Sequence, residues 1–380
     1  MSFKRLQIRI YPTKEQQILL NKHIIAYRYL YNLCLEYKIY LYKYHKINIS
    51  GFAMQSEIFN IIKEISWLKN LKVECLRQAA LDVADSFKKF YKGNGFPKFK
   101  SKKTSKNSFT SNQTISIKNN KLKWFKQKIK FRTSKEYTKS LSLNEIKQCT
   151  FIKEKDGTWF ASCLIKDNNL TELPFKTKKI GIDLGLTHFI TTSEGEFINI
   201  PNFFKDSEYK LKKIQRKFSK SKKGGENREK LRIKLAKHYK KVYNQRQHFF
   251  HQISNKLIFE NQEIHIENLK VKNMLKNKKL SKAITRVSWT IFKNILKYKC
   301  IWYNRDLIEL DTYFPSSKLC SNCGNKKKEL TLLDRIYNCE NCGFSCDRDI
   351  NAAKNLVNSY PTVKNTESYA SGDLIRPILG

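Results

Sequence analysis

Apolar and polar residues along this chain change period several times, and each change marks a new element. Phe3–Tyr11 (FKRLQIRIY) alternates apolar and basic residues, the pattern of a strand with one covered face. Pro12-Thr13 breaks that run and caps a helix. From Thr13 to about Tyr44 apolar residues recur at helical spacing (Ile18, Leu19, Ile24, Tyr27, Leu30, Tyr31, Cys34, Leu35), which predicts a helical hairpin. Its dense tyrosines are expected chiefly in the core. Two further helices are predicted near Met54–Leu68 and Leu71–Tyr91. From about Ser108 to Asp167 the period falls to two, with turn signals at Asn119-Asn120 and Asp156-Gly157. This is the pattern of a small basic β-barrel or sheet that Phe3–Tyr11 would complete, leaving the helices of 13–100 as an insertion.

A linker over Leu170–Lys178 leads to three predicted strands, Ile180–Leu184, Phe189–Thr192 and Glu196–Ile200. A long helical stretch from about Asp206 to Glu260 follows, broken by Gly224-Gly225 into two arms. Glu263–Glu267 and Leu307–Leu310 read as further strands, Trp289–Tyr303 as a helix between them, and Ile350–Asn358 as a short last helix.

Charge adds a partner to this picture. The 380 residues carry 75 Lys+Arg against 33 Asp+Glu, a formal net charge of +42. Solubility needs no such excess; a polyanion accounts for it, and nucleic acid is the commonest one. The excess is concentrated. Lys88–Asn107 holds eight lysines and no acid, with Phe90, Tyr91, Phe96 and Phe99 among them, a composition suited to phosphates and stacked bases. Between Phe204 and Lys241 there are 16 Lys/Arg against 4 Asp/Glu. The beginning of the chain lacks the apolar block of a secretory signal, and no apolar run reaches the ~18 residues of a membrane span. The ten cysteines are therefore expected to be reduced in a cytoplasmic setting, with Cys34, Cys75, Cys149, Cys163 and Cys300 in the core.

Two constellations carry chemistry. Cys320-x2-Cys323 and Cys339-x2-Cys342, fifteen residues apart, have the spacing of a tetrahedral Zn²⁺ site built on two knuckles. Gly324 and Gly343 follow the second cysteine of each pair, where the knuckle turns need positive φ. Cys346 is read as a bystander. The second constellation is acidic. Asp183 leaves an apolar run in Lys179-Ile180-Gly181-Ile182-Asp183-Leu184-Gly185, Glu267 leaves another in Ile264–Leu269, and Asp349 stands at the start of the last helix. Singly, Asp183 could cap a turn and Glu267 could be a surface acid. If the three converge, they suit Mg²⁺, and two such ions about 4 Å apart could activate water and stabilise a leaving oxygen at a phosphodiester.

At these motifs the chain resembles TnpB, the OrfB-type protein of bacterial insertion sequences and a relative of type V CRISPR effector nucleases. The resemblance covers nearly the whole chain. It is carried by the N-terminal RIYPTKEQ segment, Gly181-Ile-Asp-Leu-Gly, Ile266-Glu-Asn-Leu, Pro315-Ser-Ser-Lys, the cysteine pairs, Asp347-Arg-Asp-Ile-Asn-Ala-Ala-Lys-Asn and Ser371-Gly-Asp-Leu-Ile-Arg-Pro. It implies an α/β multidomain protein. A wedge β-barrel (1–12 and 101–170) would be interrupted by a helical recognition lobe (13–100). An RNase H-like (RuvC) nuclease domain (178–312 and 347–360) would carry an inserted zinc ribbon (313–346), before a flexible tail (361–380).

The resemblance also implies an RNA-guided DNA endonuclease with Asp183, Glu267 and Asp349 as its Mg²⁺-binding triad. Its partners would be a guide RNA from the transposon end and double-stranded target DNA beside a short flanking motif. The expected particle is a monomeric ribonucleoprotein acting at the nucleoid. Some relatives lack the triad and act as RNA-guided repressors, so a regulator or transposition accessory protein with little cleavage is the alternative. A strand-transferring transposase fits less well, because His251 and His265 form no His-hydrophobic-His pattern.

Overall fold

The computed structural model describes residues 2–112, 115–143, 145–167, 173–201, 203–277, 280–331 and 334–359. The expected tail 361–380 and residues 170–172 of the expected linker lie outside them. The chain divides into two compact units. Residues up to 168 with Glu226–Ala236 belong to the first, and Asn169–Gly225 with most of the chain from Lys237 onward to the second.

The first unit is built on strands β1 (Ser2–Tyr11), β2 (Asn107–Ser111), β3 (Ser116–Lys118), β4 (Lys121–Trp124), β5 (Gln127–Arg132), β6 (Ile146–Lys153) and β7 (Trp159–Asp167). They form one sheet in the order β2-β6-β7-β1-β5-β4-β3. β1 runs antiparallel to both β7 and β5, so the N-terminal strand sits mid-sheet although helices separate it from its neighbours in sequence. Its alternation is the reason: Leu6, Ile8 and Ile10 are buried while Arg9 is exposed, although Gln7, covered by the flanking strands, is buried as well. Among the described residues the hydrogen-bonded order is open from β2 to β3.

Between β1 and β2 lie helices α1 (Lys14–His45), α2 (Gly51–Glu64) and α3 (Val73–Tyr91). Thr13 starts α1 with a capping box: the Gln16 N–H donates to Thr13 Oγ1 at 3.3 Å, and the Thr13 N–H donates to Gln16 Oε1 at 3.1 Å. Three expectations need correction here. The stretch 13–44 is one continuous helix, since no glycine or proline interrupts it. Only Tyr27 and Tyr31 of its tyrosines are buried; Tyr29, Tyr37, Tyr40, Tyr42 and Tyr44 are exposed, because α1 buries a single stripe. A helix, α4 (Lys135–Leu143), also interrupts the strand-rich stretch after β5.

The second unit contains β8 (Lys179–Asp183), β9 (Ile190–Thr192), β10 (Phe197–Ile198), α5 (Phe203–Lys220), α6 (Glu226–Glu260, from Lys237 onward), β11 (Glu263–Glu267), α7 (Val271–Met274), α8 (Ser281–Val287), α9 (Trp289–Tyr303), β12 (Asp306–Leu310), β13 (Ile336–Asn338), β14 (Ser345–Asp347) and α10 (Arg348–Asn358). Its five-stranded sheet has the order β10-β9-β8-β11-β12. β9 and β10 are antiparallel neighbours, whereas β8, β11 and β12 are mutually parallel. The parallel strands are buried along most of their length, and the two polar side chains inside them are paired: His265 of β11 with Glu263, and Glu309 of β12 with Lys293 and Lys297. Their core joins Ile180, Ile182, Ile264 and Ile266 to Phe250, Phe292 and Leu296 from the helices.

α10 closes onto β8 more tightly than side chains would permit. A Cβ added at Gly181 would lie 1.9 Å from the Ala353 carbonyl oxygen. Gly181 therefore stands inside the strand because helix backbone occupies the side-chain position. No helix among the described residues is long and apolar enough to cross a membrane.

Candidate active site and cysteine centre

β8 and β11 each end on an acid. Their register pairs Ile182 with Ile266, so Asp183 and Glu267, the next residue of each strand, leave the sheet side by side at its carboxyl edge. In open α/β sheets that edge is where ligands bind. Asp349 joins from the first turn of α10, the helix laid on β8. The Asp347-x-Asp349 pair divides its work. Asp347 Oδ1 accepts from the N–H groups of Asp349 (2.8 Å) and Ile350 (3.2 Å), so Asp347 is the helix cap and the Asp349 carboxylate is left for other partners.

Electrostatics tie the three acids together. Burial raises the Asp183 carboxyl well above its ordinary value, and the charges of Glu267 and then Asp349 raise it further; Arg348 opposes them. Burial also raises Glu267, while the Ser316 hydroxyl that donates to Glu267 Oε1 works the other way. Arg348 reaches Asp349 Oδ1 at 3.3 Å. The carboxylates converge without closing up. Among the described residues, the one group of three or more possible metal ligands with atoms all within 4.8 Å of one another is the cysteine cluster. The donor set fits a hard divalent cation: the ligand atoms are oxygens, and the Asp183 carboxylate suffers like-charge repulsion that a cation would relieve. Sequence alone singled out the three acids. It missed Ser316, Arg348 and the cap at Asp347; only the last left a signal, an Asp directly before a helix.

The cysteine centre is tighter. Cys320 and Cys342 Sγ lie 3.7 Å apart, and Cys323 and Cys339 Sγ 3.6 Å. A tetrahedron with Zn–S bonds of ~2.3 Å has edges of about 3.8 Å, whereas a disulfide needs ~2.05 Å. Both knuckles are closed by the glycine N–H: Gly324 to the Cys320 carbonyl at 2.9 Å and Gly343 to the Cys339 carbonyl at 3.1 Å, with φ of 75° and 70°. Asn322 donates to Cys342 Sγ and Asn341 to Cys323 Sγ. The Asn322 amide and the Phe344 N–H lower the Cys342 thiol to about 6, while burial pushes Cys320 up to about 12. A cation in the tetrahedron would hold all four as thiolates. The cluster is thus compatible with structural zinc. Cys346 stands outside it, donating to the Asp347 carbonyl.

The basic loop after α3 is only partly a solvated surface. Tyr91, Phe96 and Phe99 are exposed, but Lys100 is not free for phosphate. Its Nζ lies 3.6 Å from the Tyr31 ring centroid and donates to the Tyr27 hydroxyl at 2.9 Å.

Comparison with known proteins gives the chain its relatives. Residues 160–278, spanning Asp183 and Glu267, match the OrfB_IS605 model, described as "Probable transposase". Residues 289–356, spanning the four cysteines and Asp349, match the Cas12f1-like TNB domain. A protein of Streptomyces pristinaespiralis named "Putative RNA-guided DNA endonuclease" is 33% identical over 98% of this chain and 92% of its own length. The chain belongs to the TnpB family. Another similar protein, the mimivirus TnpB-like protein L79, is 26% identical over 92% of this chain and 72% of its own. InsQ of Escherichia coli K12, also named "Putative RNA-guided DNA endonuclease", is 24% identical over 77% and 76%. The TnpB fold extends to a solved chain from a Cas12f1–sgRNA–target DNA complex, with a TM-score of 0.63 at 12% identity, covering 93% of this chain and 98% of that one. A helix-turn-helix model matches residues 1–46 of this chain, where the structure has β1 and the single helix α1.

Proposed function

We propose that this protein is an RNA-guided, Mg²⁺-dependent DNA endonuclease of an insertion sequence, cutting target DNA next to a short flanking motif. The observation that carries the reading is the convergence of Asp183, Glu267 and Asp349 at the carboxyl edge of the parallel strands, with Asp183 driven up by burial and then by the charges of the other two. The second unit would be a RuvC-like, RNase H-type nuclease domain with a zinc ribbon between β12 and α10. The first would be a wedge barrel interrupted by a recognition lobe. The relatives' names and the TnpB family support the guide RNA and the DNA substrate.

In this reading Asp183 is the central ligand, and Glu267 and Asp349 flank it. Bound Mg²⁺ would supply an activated water and neutralise charge on the scissile phosphate. The chain's own residues do the rest. The rigid ends of β8 and β11 fix two carboxylates, and the Asp347 cap fixes the start of α10 and with it Asp349. Arg348 donates to Asp349 Oδ1 and to the Thr331 carbonyl, which screens the Asp349 charge. The net charge of +42 would hold the guide–target heteroduplex by its backbone while base pairing supplies specificity. The working particle would be a monomer with one guide RNA.

One observation favours the regulator reading: Arg348 pairs with Asp349 at 3.3 Å and so occupies one of the three acids. A single experiment separates the two. The protein is purified with its co-purifying RNA, the RNA is sequenced, and DNA matching the guide is offered beside a library of flanking sequences. Mg²⁺-dependent double-strand cutting that EDTA stops is the expected outcome. Bound but uncut DNA would make the protein a regulator.

A further inference from the structure

The two asparagines of the last motif, Asn351 and Asn355, have no part in the proposed activity, yet both are buried. Four residues apart, they share one face of α10. Asn355 Nδ2 donates to the carbonyls of Ser316 (2.8 Å) and Leu319 (2.6 Å). Asn351 Nδ2 donates to the same Leu319 carbonyl at 2.6 Å, and its Oδ1 accepts from the Ser321 N–H at 2.9 Å. Both amides thus grip residues 316–321, the stretch that enters the first knuckle at Cys320. Buried amides are satisfied by partners held in place, so this stretch has little freedom to slide along α10.

Ser316 itself is 2% exposed and held at three points. Its N–H donates to the Phe314 carbonyl at 2.9 Å, its carbonyl accepts from Asn355, and its hydroxyl donates to Glu267 Oε1. A hydroxyl has one proton to give, and this one is spent on a carboxylate that stands at the end of a different element.

We propose that Ser316 is a positioning residue for Glu267. Its hydroxyl fixes the carboxylate's orientation for a divalent cation, and Asn355 fixes Ser316. The inference rests on the reading of Glu267 as a cation ligand. It also makes the cysteine centre a support of the acidic site, because one short segment serves both.

The test uses the full chain purified with its RNA, with Mn²⁺ as the probe, followed by electron paramagnetic resonance. S316A is expected to weaken Mn²⁺ binding about tenfold, the lower end of what losing a ligand's supporting hydrogen bond does. Its zinc content and melting temperature should match the wild type. S316C keeps a proton donor at that position, slightly larger and much weaker than the hydroxyl, and should bind between the two. E267Q provides the reference for a lost ligand. N358A removes an exposed bond of the same kind, from Asn358 to the Ser321 carbonyl, and should leave Mn²⁺ binding unchanged. S316A or S316C binding Mn²⁺ as tightly as the wild type, while E267Q loses it, overturns the role of Ser316 alone. E267Q binding as tightly as the wild type would overturn the underlying nuclease reading instead.

Discussion

The two metal-type sites of this protein differ in how finished they are. The four thiols already stand at tetrahedral spacing, 3.6 and 3.7 Å across two of the pairs, with glycine N–H groups closing both knuckles and asparagine amides on two sulfurs. The three acids share a field but not a shell, and Asp183 is left in a state its surroundings disfavour. A site whose work is to hold a fold is closed in advance. On the proposed reading, the acidic site works on a substrate, and its ligands would stay apart and carry like-charge repulsion until cation and phosphate arrive. Three substitutions sharpen or break that contrast.

The largest effect belongs to the closed site. C339S is expected to remove most of the zinc and unfold the ribbon, since zinc supplies on the order of 10 kcal/mol to such small domains. Metal analysis and proteolysis of the purified protein check it; a wild type without about one zinc per chain would break the comparison at its first term. G181A comes next. Its Cβ would sit 1.9 Å from the Ala353 carbonyl oxygen, so α10, and Asp349 with it, must move. Overpacking of this kind costs about 3 kcal/mol. Denaturant unfolding should register that loss, and cleavage should fall although no acid is altered.

These outcomes also mark what could be read without coordinates. The cysteine spacing and the apolar runs ending at Asp183 and Glu267 are local patterns, and the strands appear where those patterns place them. The tyrosines of α1 were misjudged because a helix with rings on every side does not say which stripe will be covered. That is decided by its packing partners, among them α3. α4 was hidden because nine mostly polar residues between strands carry too little periodicity. Ser316 was out of reach for another reason: its partner Glu267 is 49 residues away and the contact depends on a loop.

The smallest effect is a gain. The Asp183 carboxyl sits well above its ordinary value of 3.8 in the folded chain, so its contribution to stability is present in acid and lost as pH rises through the folded value. D183N should therefore stabilise the metal-free protein at neutral pH by roughly 1 kcal/mol, a few degrees in Tm, with the gain vanishing in acid. Calorimetry across pH without divalent ions checks both the size and the sign.

The most direct measurement uses the same substitution. Wild-type and D183N protein, each carrying its co-purified RNA, are given matching DNA and Mg²⁺. The wild type should cut both strands, and D183N should bind the same RNA and DNA and cut neither. Cleavage by D183N at the wild-type rate would contradict the assignment of the three acids as the place where the phosphodiester is broken.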